Sequence, residues 1–280
     1  MKVSHPYFPE MTIVPLERVY FHEEIVERRA KEIFQTMQTH PLLLNPVIAM
    51  PLHNDKNYVV LDGAHRCMAL RMMGCSSVMI QVAHPDRDVS RFGTWAHAIT
   101  ECAPAQLYDV IRTNLKNKLD LRSHDRMLND QSGSPLLARL YLPDRKNLDI
   151  RPRLWDLNRR VEGLHVLFNA CKLVGSVERI PITDHNQPPK TYDGMAGWIQ
   201  ITPLKLEEIR ELVARGMRLP AGTTRVVLSV RVLQVNLPLE FLRSEGTLGD
   251  RSDHFKTWWL ESINIHQGRY YEEPTYIFEK

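Results

Sequence analysis

A chain of 280 residues, 43% hydrophobic and 25% charged, carries enough apolar side chains for one large core or two modest ones. Its net charge of +3, without any block of like charges, is too weak to mark a nucleic-acid-binding surface. No apolar run approaches the roughly 20 residues of a membrane span, the first residues lack the apolar core of a signal peptide, and the four cysteines (Cys67, Cys75, Cys102, Cys171) include no Cys-x-x-Cys pair, so free thiols in a cytoplasmic protein are the simplest expectation.

In chain order, Met11–Tyr20 looks extended and leads into Phe21-His22-Glu23-Glu24. A helix follows, with Val26, Ala30, Ile33, Phe34 and Met37 on one face and charges on the other, and Pro41 ends it. Asn45–Met50 reads as a strand, and residues 51–57 as a polar hairpin-like loop. Tyr58–Leu61 is a buried-strand pattern that turns through Asp62-Gly63 into a helical pattern stopping at Gly74. Gly63 allows a positive φ or close approach of a ligand, and the helix start offers N–H groups and the positive end of the dipole. His65 and Arg66 add donors and charge at the same place, which suits a phosphate and leaves Asp62 to hold a metal ion or a hydroxyl. The same residues also compose an ordinary strand-to-helix turn with surface charges. Val78–Val82 is the next strand, and the order helix, strand, hairpin, strand, helix, strand fits a compact α+β unit.

Residues 83–100 contain Trp95 and His97, which read either as a ligand-facing pair or as a half-buried core tryptophan beside an incidental histidine. Residues 101–150 carry the weakest signal, with loops expected at Asp130–Pro135 and Pro143–Asn147. Leu154–Cys171 reads as a long helix with His165 packed among Leu164, Val166 and Leu167, Val177–Ile180 as a strand, and 181–197 as a Pro- and Gly-rich loop. Thr202-Pro203 suits the N-cap and first position of a helix whose apolar face is Leu206, Ile209, Leu212 and Val213 and which Gly216 closes. Val226, Leu228, Val230 and Val232 alternate as in a strand. The Gly222-Thr223-Thr224-Arg225 turn before it presents two hydroxyls and a guanidinium, either to a phosphate or simply as a polar hairpin turn. Trp258-Trp259 and Tyr270-Tyr271 are expected as core or interface aromatics.

The stretch Tyr58–Gly74, centred on Asp62-Gly63-Ala64-His65-Arg66, resembles the signature of the ParB/sulfiredoxin-like superfamily, a strand followed by Asp-Gly-x-His-Arg and a helix. With His22-Glu23 upstream, Val177-Glu178-Arg179-Ile180, and Pro220-Ala221-Gly222-Thr223-Thr224-Arg225 downstream, the chain resembles the free L-serine kinase subgroup found in staphyloferrin B-type siderophore biosynthesis. That resemblance implies an α+β fold: a ParB/sulfiredoxin-like nucleotide-binding domain over residues 1–98 and a mixed α/β C-terminal domain over 99–280 that completes the active site. It implies transfer of a phosphoryl group from ATP or ADP, with Mg²⁺, to the hydroxyl of free L-serine, the O-phospho-L-serine then supplying 2,3-diaminopropionate for a siderophore. By the same resemblance Glu23 activates the hydroxyl as general base, and Asp62 orients it or holds the metal. Gly63, Ala64, His65 and Arg66 cradle phosphate, Thr224 and Arg225 reach over the nucleotide, and Trp95 and His97 lie near the amino acid. The residues alone leave Glu23 and Glu24 equally readable as favourable acids in a helix's first turn, and Glu24 stands in if the register slips by one. The partners implied are L-serine and nucleotide, with no membrane, no nucleic acid expected, and room for a homodimer.

Departures from the pattern narrow the reading. Sulfiredoxins need a cysteine where Ala64 stands, and Cys67 lies beyond Arg66, so the missing thiolate nucleophile argues against a sulfinic-acid reductase. Many serine kinases have a histidine at Ala64, which bears on nucleotide choice. No Gly-Lys pair exists for a P-loop. The rival is a ParB-like, nucleotide-dependent DNA-binding regulator, although the chain has neither a convincing recognition helix nor the basic charge.

Overall fold

The computed structural model describes residues 9–52, 56–125, 135–143, 146–180, 194–243 and 247–266. In chain order these form β1 (Met11–Pro15), β2 (Val19–Phe21), α1 (Glu27–Thr39), β3 (Leu42–Leu43), β4 (Val47–Pro51), β5 (Tyr58–Asp62), α2 (Ala64–Met72), β6 (Ser77–Val82), α3 (Pro85–Asp88), β7 (Val89–Thr94), β8 (Ala96–Thr100) and α4 (Pro104–Leu115). They continue with β9 (Leu119–Asp125), β10 (Ala138–Tyr141), β11 (Lys146–Pro152), α5 (Leu157–Lys172), β12 (Ser176–Ile180), β13 (Met195–Ile201), α6 (Leu206–Ala214), β14 (Thr224–Leu228), β15 (Leu237–Pro238), α7 (Glu240–Arg243) and α8 (Leu248–His266).

The fold is mixed α and β, in keeping with the α+β expectation. A five-stranded sheet runs β1-β6-β4-β5-β2, with β4–β6 and β2–β5 parallel and β1–β6 and β4–β5 antiparallel. β4 and β6 are buried along their whole length, because both faces of this sheet are covered. Alternate residues serve different cores. Ile48, Met50, Val59 and Leu61 join one cluster with α4, α5 and α6, while Val47, Ala49 and Val60 join another with Leu70, Met79 and, from the C-terminal third, Leu237, Leu242 and Phe255. The period of two along each strand assigns its side chains to the two layers. A second, antiparallel sheet runs β12-β8-β13-β10-β11-β9, and α4 and α5 pack against it. The short pair β7–β14 lies at the seam between the two sheets.

Several local expectations change. Thr202-Pro203 does not cap a helix: the Thr202 N–H is bonded to the Leu137 carbonyl at 2.9 Å, which keeps the chain extended beyond β13. Lys205 is the N-cap of α6, and its own N–H is taken by the Glu208 carboxylate at 2.7 Å. Met195–Gly197 belong to β13 rather than to a loop. α5 starts at Leu157, after Asp156, whose carboxylate accepts the Arg159 N–H at 2.9 Å. The strand expected through Val232 stops at Leu228, because Ser229 donates its N–H to the Asp88 carbonyl. His165 is not enclosed by its apolar neighbours; its Nε2 lies 2.8 Å from the Arg218 carbonyl. The weak-signal region 101–150 supplies α4, β9, β10 and β11. Residues 53–55, 126–134, 144–145 and 181–193, and Tyr270-Tyr271, lie outside the described residues.

α8 seats Phe255 in the first sheet's outer core at 1% exposure, with Trp258 and Trp259 stacked against it. Phe255→Ala should cost about 3–5 kcal/mol of stability, the scale of a buried aromatic truncation, measured by urea denaturation.

Candidate active site

β5 delivers Asp62 to the end of the first sheet, and Gly63 at φ +102° turns the chain directly into α2. A side chain at 63 is disfavoured by the left-handed φ, and a Cβ, 2.6 Å from an Arg66 guanidinium nitrogen, would also displace that flexible side chain. Ala64, His65 and Arg66 form the first turn of α2, whose N–H groups have no partner within the helix. The Asp62 carboxylate accepts from Arg231 Nη1 at 2.7 Å and lies 3.7 Å from Arg66. Partial burial pushes its pKa up, but the charges of Arg66 and Arg231 outweigh this and hold it below the ordinary aspartate value.

Across a cleft of about 1020 Å³ lies Glu23. Its carboxylate takes three bonds from the Gly222–Thr224 segment: the Gly222 N–H at 2.8 Å, and the Thr224 N–H and hydroxyl, each at 2.6 Å. His22, 4% exposed, sits behind it. His22 Nδ1 donates to the Val60 carbonyl at 2.6 Å, and Nε2 lies 2.7 Å from Thr224 Oγ1. One buried imidazole therefore joins β5, two residues before Asp62, to the loop that grips Glu23. Glu24 lines the same cleft, with a carboxylate oxygen 3.6 Å from His165 Nδ1.

The remaining expected residues also line this cleft, Arg66 excepted. His65 Nε2 accepts the Val26 N–H at 3.1 Å, so one nitrogen is committed to the start of α1. Burial, then the charges of Arg29 and Arg179, lower its pKa and favour the neutral form this bond requires. The guanidinium carbon of Arg225 stands 4.5 Å from the Trp95 ring centre, and that of Arg179 stands 5.6 Å away. The backbone N–H of Trp95 donates to the Thr223 carbonyl at 3.1 Å. His97 is 2% exposed, donates Nε2–H to the Gly222 carbonyl at 3.1 Å and meets Phe168 edge-on. Glu23, Asp62 and Arg179 all line this cleft, so the two carboxylates and the guanidinium face one space.

Three contributors escape a sequence reading. Arg179 looked like a strand residue, Arg231 like the polar half of an alternating strand, and Gln81 like part of an apolar run. The usable signal was Gln81, an amide inside a strand that is buried throughout.

No family model matches the chain. It is 22% identical over 277 residues to a Staphylococcus aureus protein described as the ATP-dependent L-serine kinase SbnI, covering 96% of this chain and 97% of that protein. Its structure superposes on C-terminally truncated SbnI from Staphylococcus aureus with a TM-score of 0.73 at 19% identity, covering 90% of this chain and 97% of that one. It also superposes on a free serine kinase in complex with AMP, with a TM-score of 0.65 at 19% identity over 86% and 98% of the two chains. The chain shares their fold.

His97 makes the site sensitive to acid. Burial lowers its pKa from 6.5 to about 4. Above pH 6.5 the residue is neutral folded and unfolded. As pH falls through this window only the unfolded chain takes up the proton, so stability present above 6.5 is lost by pH 4, at about 3 kcal/mol. The thermal midpoint should fall across that range in wild type and fall less in His97→Gln.

Proposed function

We propose that this protein is a small-molecule kinase that transfers a phosphoryl group from ATP, or ADP, to the hydroxyl of free L-serine, giving O-phospho-L-serine. The observation that carries this reading is the Glu23 carboxylate, oriented by three donors across the cleft from a helix start suited to phosphate. A carboxylate offers about four acceptor positions, so one remains on Oε2 for an incoming hydroxyl. Glu23 acts as general base at that atom. Opposite it, the N–H groups of Ala64 and His65 receive the phosphates, the Arg66 charge supports them from beside Asp62 outside the cleft lining, and Arg225 adds charge from the β14 side. Trp95 and His97 wall the amino-acid end. The whole-length similarity to a protein described as an L-serine kinase supports the acceptor, and the AMP complex of a protein with this fold supports the nucleotide.

Mg²⁺ belongs to the same proposal. Among the described residues no group of three or more His, Cys, Asp or Glu side chains is arranged to hold a metal. Asp62 is a single hard-oxygen donor at the phosphate-facing turn, which fits an ion that keeps waters and takes its other ligands from the nucleotide. Bound there it would neutralise phosphate charge.

The same reading assigns residues 1–98 to a ParB/sulfiredoxin-like nucleotide-binding domain and 99–280 to a domain that completes the site, in a cytoplasmic enzyme. Among the described residues no helix is long and apolar enough to cross a membrane. Supply of 2,3-diaminopropionate for a siderophore rests on the sequence resemblance alone.

Incubation with L-serine, Mg²⁺ and either ATP or ADP should yield O-phosphoserine by mass spectrometry. Glu23→Gln should lower kcat by ~100-fold or more, the contribution expected of a positioned base. No product with either nucleotide overturns the reading.

A further inference from the structure

Gln81 lies in β6, 1% exposed, with apolar neighbours along the strand. A buried amide is costly unless its bonds are made, and both ends of this one are spent on one short segment. Its Nε2 donates to the Val230 carbonyl at 2.8 Å, and its Oε1 accepts the Val232 N–H at 2.9 Å. The side chain grips the peptide groups on either side of Arg231. The segment belongs to no strand and is fastened along its length. Ser229 N–H bonds the Asp88 carbonyl, Gln234 N–H bonds Asn45 Oδ1 at 2.8 Å, and Asn236 N–H bonds the Leu44 carbonyl. Gln234 and Asn236 hold φ of 53° and 56°, a left-handed backbone that non-glycine residues adopt at some cost. All of this fixes a strap whose one cleft-lining residue beyond β14 is Arg231.

Arg231 reaches the Asp62 carboxylate at 2.7 Å and stays partly exposed, at 36%. Asp62 takes a single bond from it, while a guanidinium carries further donors in a rigid fork. Arg66 stands by the same carboxylate, so two guanidinium charges face one carboxylate at the N-terminal end of α2. The surplus is one positive charge beside a helix dipole of the same sign.

We propose that Arg231 is a catalytic residue: held by Gln81 and aligned by Asp62, it contacts the phosphoryl group in transfer. This rests on the phosphoryl-transfer reading above. In the step, the bond between the transferred phosphorus and the nucleotide's bridging oxygen breaks, its electron pair staying on the nucleotide. The bond to the serine oxygen forms, and the hydroxyl proton passes to Glu23. Arg231 keeps its proton throughout and offsets the negative charge spread over the peripheral oxygens.

The test is a double-mutant cycle on the full chain, with AMP binding measured alongside. AMP lacks the transferable group. Arg231→Gln should lower kcat by ~100-fold or more, the scale of a lost charge donor, with AMP affinity within about twofold of wild type, because the lost contact is beyond the α-phosphate. Arg231→Lys should recover part of the rate. In an Asp62→Asn background Arg231→Gln should still cost at least about tenfold, since the guanidinium touches the phosphoryl group directly. Gln81→Leu, which frees the strap while leaving Arg231 in place, should lower kcat by about tenfold or more and keep AMP affinity. The proposal is overturned if Arg231→Gln leaves kcat within about threefold of wild type, or if its effect vanishes in the Asp62→Asn background, which would make it a residue acting only through Asp62. Wild-type protein that forms no phosphoserine with either nucleotide would instead sink the kinase reading itself.

Discussion

The arrangement hangs on one carboxylate meeting one loop across some 200 residues of chain. Glu23 accepts the Gly222 and Thr224 N–H groups and the Thr224 hydroxyl, and the backbone closes the same junction on both sides, Leu219 N–H to the His22 carbonyl and Glu24 N–H to the Leu219 carbonyl, each at 2.8 Å. Bonds to a charged acceptor are about twice as strong as neutral ones. They fix where β14 begins, and β14 in turn pairs with β7 through Thr224–Thr94 and Arg225–Gly93, which positions Arg225 over Trp95. His22 extends the junction to Val60. The segment that would receive a hydroxyl and the turn that would receive a phosphate are thus referenced to one buried imidazole. Their separation is set by packed structure rather than by loop closure.

The middle position of the first sheet makes that possible. Because β4, β5 and β6 bury both faces, their ends are held from two sides, and β5 ends at Asp62. The return of the chain through β15, α7 and α8 to the same sheet then holds the strap carrying Arg231 at the strand ends of β6 and β5, with Leu237, Leu239 and Leu242 as apolar anchors. Apolar packing locates the strap, and the Gln81 amide sets its register to the residue. Non-directional burial cannot specify a single peptide unit, whereas two opposed hydrogen bonds can.

Much of this was legible in the chain. The strand–Asp–Gly–helix turn has a strong local cause, since a left-handed residue preceding a helix requires glycine, and it stands where the pattern put it. The helix face of Leu206, Ile209, Leu212 and Val213 was equally plain from spacing; the last three are buried and Leu206 is half-buried. Residues whose role is set by distant partners were not legible. Thr202-Pro203 carries good capping chemistry, but the Leu137 carbonyl claims the Thr202 N–H. Val226–Val232 alternates like a strand throughout, yet Asp88 and Gln81 take its hydrogen bonds from Ser229 onward. His65 reads as a phosphate donor, while the fold spends one of its nitrogens on the start of α1. In each case a long-range hydrogen bond overrode a sound local preference, and no window of sequence contains both partners.

The cleft also works against the fold that holds it. Burial makes the charges of Arg179 and Arg225 harder to carry, and each is opposed by a like neighbour, Arg29 for the first and Arg91 for the second. Such crowding is a standing electrostatic repulsion, offset for Arg179 by Glu23 and Asp62 and relieved further when an anion enters. Natural selection for stability alone would dilute those charges. The walls of this cleft should accordingly be where neutral substitutions firm up the folded protein while emptying it of purpose, and a search for hardier variants that ignored turnover would converge on these arginines first.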